Sequence, residues 1–201
     1  MEKTGLLGGT FDPIHIVHLF MGTLALEELG LEKVIFMPAK VPPHKDRGSI
    51  APAEHRLAMA ELALRDHDLF EVSDLELNRD APSYTIDTVR RLRGALGPGA
   101  ELYLIMGSDS LLDLGTWKDH EELLSLVTVV VYPRPGHAAD LSRVSESGDM
   151  VTLSADGIGF ELSSSAIRRR VSRGKSVRYM VPGPVEEYIA EHGLYREDGS
   201  G

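Results

Sequence analysis

Short apolar runs alternate along this chain with longer stretches in which apolar positions recur every three or four residues. Gly5-Leu6-Leu7 predicts a first strand, and His18 to Leu29 a helix. Val34-Ile35-Phe36-Met37 predicts a second strand, stopped by Pro38. The proline-rich stretch "PAKVPPHKDRGSIAP" reads as a loop, and a helix follows from about Ala53 to Arg65. Phe70-Glu71-Val72 predicts a third strand. A helix from Thr85 to Leu96 is ended by Gly97-Pro98-Gly99. Leu102 to Met106 predicts a fourth strand and Val127 to Tyr132 a fifth, closed by "PRPG". After Gly136 the pattern weakens until Val151-Thr152-Leu153. Two helices then close the chain, one after Ser163-Ser164-Ser165 and one after Pro184.

Strand and helix in this alternation imply crossover connections and a parallel sheet covered on both faces. Strands buried on both faces need not alternate apolar with polar residues, and these do not. The expectation is an α/β fold: a single doubly wound, Rossmann-like domain over residues 1–196, with five or six mostly parallel strands. A helical C-terminal portion begins at about residue 160, and residues 197–201 are expected to be a disordered tail.

Composition narrows the function. Of 201 residues, 42% are hydrophobic and 26% charged, which is ordinary for a globular protein. Without cysteine there is no disulfide, thiolate ligand or thiol nucleophile. The N-terminal apolar run, cut by Gly8-Gly9, is too short for a signal peptide or membrane span, so a cytoplasmic protein is expected. A net charge of -10 argues against a nucleic-acid partner. It leaves room for a small phosphate site, because basic residues cluster at Arg168, Arg169, Arg170, Arg173, Lys175 and Arg178. Oligomeric state stays open; a homo-oligomer is compatible with the sequence.

The chemistry concentrates in "GGTFDPIHIVHL", Gly8 to Leu19. Glycines at the end of a first strand let a ligand approach the backbone. The following helix offers free N–H groups and the positive end of its dipole, which suit an anion. His15 and His18, three apart, share a helix face, and adjacent phosphates would favour their protonated forms. Neither GxGxxG nor GxxxxGK[ST] is present. A zinc site would need a third ligand, and no HExxH occurs. As plain structure, two histidines after a tight turn need no function.

The complete string "GGTFDPIH..H" resembles the signature of the H-x-G-H nucleotidyltransferases, most of all the bacterial nicotinate-nucleotide adenylyltransferases. That resemblance implies catalytic roles for His15 and His18 at the ATP phosphates, with Gly9, Thr10 and Phe11 lining the nucleotide site. At Val17 this chain departs from the family's glycine, which implies that ATP or the helix must shift. "PPHK" resembles the family's phosphate loop, implying that Lys45 meets ATP and His44 the acceptor. "SYTIDTV" implies that Tyr84 and Thr85 meet the acceptor; alone, Thr85 reads as a helix cap. "GSD" implies ATP contacts from Gly107 and Asp109. "GTWKDHEELL" implies that Trp117 stacks on the pyridine ring beside Lys118, although a lone tryptophan is commonly packing. Arg134 is expected at the acceptor as well. "LSSSAIRRR" resembles the family's second signature, which places Ser164, Ser165 and Arg168 at the β- and γ-phosphates; capping is the plain alternative.

The resemblance runs from about Thr4 to Tyr195 and implies adenylyl transfer from ATP to nicotinate mononucleotide, giving nicotinate adenine dinucleotide and pyrophosphate. Mg²⁺ is expected with ATP, with few or no protein ligands and no dedicated metal site. Two rival acceptors, nicotinamide mononucleotide and phosphopantetheine, keep the same chemistry. A nucleotide-binding regulatory protein, weakened at Val17, is a rival of another class.

Overall fold

The computed structural model describes residues 2–40, 50–79, 84–134 and 149–196. Its strands are β1 (Lys3–Gly9), β2 (Lys33–Pro38), β3 (Phe70–Val72), β4 (Glu101–Gly107), β5 (Thr128–Tyr132) and β6 (Met150–Thr152). They form one sheet in the order β3-β2-β1-β4-β5-β6, and every neighbouring pair is parallel. The chain steps outward from β1 through β2 to β3, then returns to the middle and steps outward again from β4. This is the doubly wound, Rossmann-like order. The crevice where the two directions diverge lies beyond the carboxyl ends of β1 and β4.

Successive strand residues point to opposite faces, so each apolar run serves two cores. Leu7, Phe36, Ile105 and Val130 face α1 (Ile16–Leu29), α2 (Ala53–Leu64), α6 (Ser164–Ser172) and α7 (Gly183–Glu191). Leu6, Ile35, Leu104 and Val129 face the other side, toward α3 (Thr85–Leu96) and α5 (His120–Leu126). A short α4 (Ser108–Leu111) and a 3-10 turn, Leu114–Thr116, fill the connection from β4 to α5.

The first helix starts two residues earlier than its apolar spacing predicts, at Ile16, because His15 acts as its N-cap in extended conformation. The fifth strand begins at Thr128, and Val127 packs in the core just before it. Residues 197–201, expected as a tail, lie outside the described residues, as does most of the stretch after Gly136.

Gly22 sits inside α1, where glycine costs about 0.5–1 kcal/mol relative to alanine. Close packing explains it: a Cβ there would come within 2.9 Å of the Phe36 ring and 3.1 Å of the Phe70 ring. Gly22→Leu should therefore overpack this contact and lower stability by about 1–3 kcal/mol in urea unfolding. An unchanged midpoint would mean that the aromatic pair repacks freely.

Candidate active site

At the carboxyl end of β1 the backbone is bare at Gly8, where a Cβ would meet nothing within 4 Å. At Gly9 a Cβ would run into the Phe11 ring at 2.8 Å. Phe11 is buried at φ +48, a left-handed conformation unusual for a side-chain-bearing residue. The turn thereby folds its ring back edge-on to His18, with centroids 5.0 Å apart.

His15 and His18 meet as cap and first-turn residue of α1. Their rings stack at 3.7 Å, and the His15 backbone N–H donates to His18 Nδ1 at 3.2 Å. With Nδ1 accepting, a neutral His18 carries its proton on Nε2 and is a donor there. Without a phosphate beside them, both rings are held in the neutral form. Burial, reinforced by Arg134, lowers the His15 pKa to about 3. Burial, then His15 and Arg134, hold His18 well below the ordinary imidazole range.

A cavity of about 620 Å³ opens along this crevice, a size suited to a small-molecule ligand. The β1–α1 turn contributes Gly9, Thr10, Phe11 and His18 to its lining. The end of β4 brings Gly107 and Asp109, and the residues after β5 bring Arg134. The start of α3 brings Tyr84 and Thr85, the segment before α5 brings Trp117 and Lys118, and α6 brings Ser164. Twelve of the expected site residues thus share one cavity wall.

Several are fixed by their neighbours. Arg134 pairs with Asp109 at 3.4 Å, and a Cβ at Gly107 would press on both side chains, so a larger residue there would displace the pair. Lys118 lies 4.8 Å over the Tyr84 ring and 3.3 Å from Asp87. His15 Nδ1, Asp109 Oδ1 and Arg134 Nε are buried without a hydrogen-bond partner, a polar surplus that a ligand could satisfy.

The remaining expected residues behave differently. His15 backs His18 without lining the cavity. Ser165 and Arg168 do not line it either. Arg168 donates to the Asp12 carbonyl at 2.8 Å, stands 3.4 Å from the Asp12 carboxylate, and reaches Ser165 Oγ at 3.4 Å. His44 and Lys45 lie outside the described residues.

The Val17 side chain is fully buried in the core with Met21, Leu24 and Ala25, and it does not line the cavity.

Three residues at the site escaped the sequence reading. Arg56 of α2, buried at 1% exposure, donates to the carbonyls of Thr10 (2.7 Å), Ala39 (2.7 Å), Lys40 (3.0 Å) and Ala51 (3.1 Å). Its signal was its position in the apolar stripe with Met59, Ala60 and Leu64. Tyr195 donates to buried Asp12 at 2.7 Å; burial first, then that carboxylate, raises the phenol's pKa. Glu76, also buried, lines the cavity, and no local motif marks it.

A doubly wound sheet with a bare strand end and a histidine-capped helix at the switch point defines a nucleotide-binding α/β class. The cytidylyltransferase-like family profile matches residues 6–170. The chain belongs to that family, and its relatives place it in the nicotinate-nucleotide adenylyltransferase branch. A Thermomicrobium roseum protein named "Probable nicotinate-nucleotide adenylyltransferase" is 44% identical over 200 residues, covering 98% of this chain and 92% of that one. A Thermus thermophilus protein of the same name is 45% identical over 194 residues, covering 96% and 100%. The fold is similar to that of Plasmodium falciparum nicotinic acid mononucleotide adenylyltransferase complexed with NaAD. The TM-score is 0.81 at 18% identity, covering 97% of this chain and 98% of that one.

Two outcomes follow from these contacts. Val17→Gly should cost about 2–4 kcal/mol through lost core burial, with ATP affinity unchanged by calorimetry. Tighter ATP binding would return Val17 to the nucleotide site. His15 binds its proton more weakly folded than unfolded, so its stabilising effect is complete above pH 6.5 and falls away toward pH 3. Between pH 7 and pH 5 the protein should lose about 2 kcal/mol from this residue. Denaturation of His15→Asn should show a shallower slope there; an equal slope would contradict the assignment.

Proposed function

We propose that this chain transfers the adenylyl group of ATP to nicotinate mononucleotide, giving nicotinate adenine dinucleotide and pyrophosphate. The observation that carries this reading is a single cavity lined by both halves of the needed machinery. Its wall holds a bare glycine turn and an imidazole donor, and also Tyr84, Thr85 and Trp117, which offer aromatic faces and a helix start. The names of the curated relatives support the same reaction.

The acceptor's 5′-phosphate attacks the α-phosphorus of ATP. A new P–O bond forms as the bond to the β-phosphate bridging oxygen breaks and pyrophosphate leaves. The attacking oxygen is already ionised, so no protein nucleophile or general base is required. Catalysis then rests on positioning and on donors aimed at the developing charge. His18 Nε2–H is that donor in this reading, because Nδ1 is engaged by the His15 backbone. A phosphate beside it raises its proton affinity and strengthens the bond. Ser164 and the N–H groups Arg168 keeps beyond Asp12 would hold the outer phosphates at the N-terminus of α6.

Among the described residues no group of three His, Cys, Asp or Glu side chains could hold a metal ion. Asp109, on the cavity wall, is already paired with Arg134. In this reading Mg²⁺ would be carried by the triphosphate with few or no protein ligands, and would neutralise charge on it. No described helix is long and apolar enough to cross a membrane.

Pyrophosphate release with ATP and nicotinate mononucleotide, nicotinamide mononucleotide or phosphopantetheine tests the reading, and the first acceptor should be fastest. His18→Ala should slow turnover by at least ~10²-fold, the scale of losing one oxyanion donor. Stabilisation by ATP without turnover on any acceptor would favour a binding protein instead.

A further inference from the structure

Glu76 lies in the turn between β3 and α3. It is 7% exposed and lines the cavity with Tyr84, Thr85 and Trp117. Thr88 Oγ1 donates to its Oε1 at 2.6 Å, and Thr88 is itself buried. No described cation pairs with this carboxylate. Of the basic side chains in that region, Arg79 and Lys118 turn to Asp87 at 3.1 and 3.3 Å, and Lys40 donates to the Arg79 carbonyl. Burying a carboxylate with one hydroxyl donor and no cation is costly, and a bound cationic group would offset that cost. The adenylyl-transfer steps above make no use of it.

Position suggests what that group is. Thr88 is three residues after Thr85 on the same face of α3, so Glu76 lies about one helical turn, ~5 Å, from the start of that helix. A pyridine mononucleotide carries a positive charge on its ring, because the nitrogen is bonded to ribose. We propose that Glu76 is a specificity-determining residue that recognises the cationic pyridinium ring of the acceptor. This rests on the acceptor being a pyridine mononucleotide, as proposed above. The acceptor's own carboxylate is a separate feature, and Glu76 reads ring charge whether the substituent is an acid or an amide.

The test compares oxidised nicotinamide mononucleotide with its dihydropyridine form, which differ chiefly in ring charge. Each is titrated by calorimetry into wild type, Glu76→Gln and Glu76→Asp. Wild type and Glu76→Asp should bind the oxidised form tighter by about fivefold or more, the scale of a partly desolvated charge pair. Glu76→Gln, which can still accept from Thr88, should lose that preference while ATP affinity is unchanged. A purely structural role would weaken both ring forms alike, and that result overturns the inference. Equal affinity in wild type, or no binding of either form, overturns it too and remains decisive if Glu76→Gln fails to fold. Turnover of nicotinate mononucleotide is measured separately: turnover without ring-charge preference removes this inference alone, and no turnover removes the proposed function.

Discussion

The guanidinium of Arg56 ties the β1–α1 turn to the chain leaving β2 and the chain entering α2. Parallel strands that leave a sheet release carbonyls that still need donors, and buried ones cannot turn to water. Thr10 beyond β1, Ala39 and Lys40 beyond β2, and Ala51 before α2 all direct their carbonyls to this one side chain. A planar fork with five N–H donors can serve four acceptors at once, which an ammonium group cannot. Burial works against its charge, and Asp12 is the foremost of the groups that favour it. Asp12 repeats the device with the opposite sign. Its carboxylate accepts from the Ala51 N–H and the Tyr195 hydroxyl, and stands beside Arg168. The β1–α1 turn is thus fixed by a cation and an anion whose partners come from distant parts of the chain.

That dependence separates what was legible in the sequence from what was not. The strands were legible because burial on both faces leaves continuous apolar runs, and β1, β2 and β4 read directly. The glycine turn and paired histidines were legible because their requirements are local. Arg56, Tyr195 and Glu76 gain meaning only once α2, the chain's last turn and the β3–α3 turn are packed together. The burial of Val17 was legible as well, because its register with Met21, Leu24 and Ala25, four, seven and eight residues on, puts it on the buried stripe of α1.

The remaining question is how a chain of net charge -10 accepts a polyphosphate. The described cations on the cavity wall are largely committed, Arg134 to Asp109 and Lys118 to Asp87, and the histidines are neutral until a phosphate charges them. The backbone supplies another source of positive potential. An acidic residue in a helix's first turn compensates the positive end of its dipole. Helices α2, α3, α4, α5 and α7 each carry at least one, from Glu54 to Glu186. Helices α1 and α6 carry none. These are the two helices capped by His15 and Ser163, and Ser164 ties them together by donating to the Pro13 carbonyl at 2.9 Å. Two uncompensated helix starts joined by one hydrogen bond at the cavity form a local anion field that the chain's overall acidity does not remove, because charges beyond about 10 Å are screened by salt.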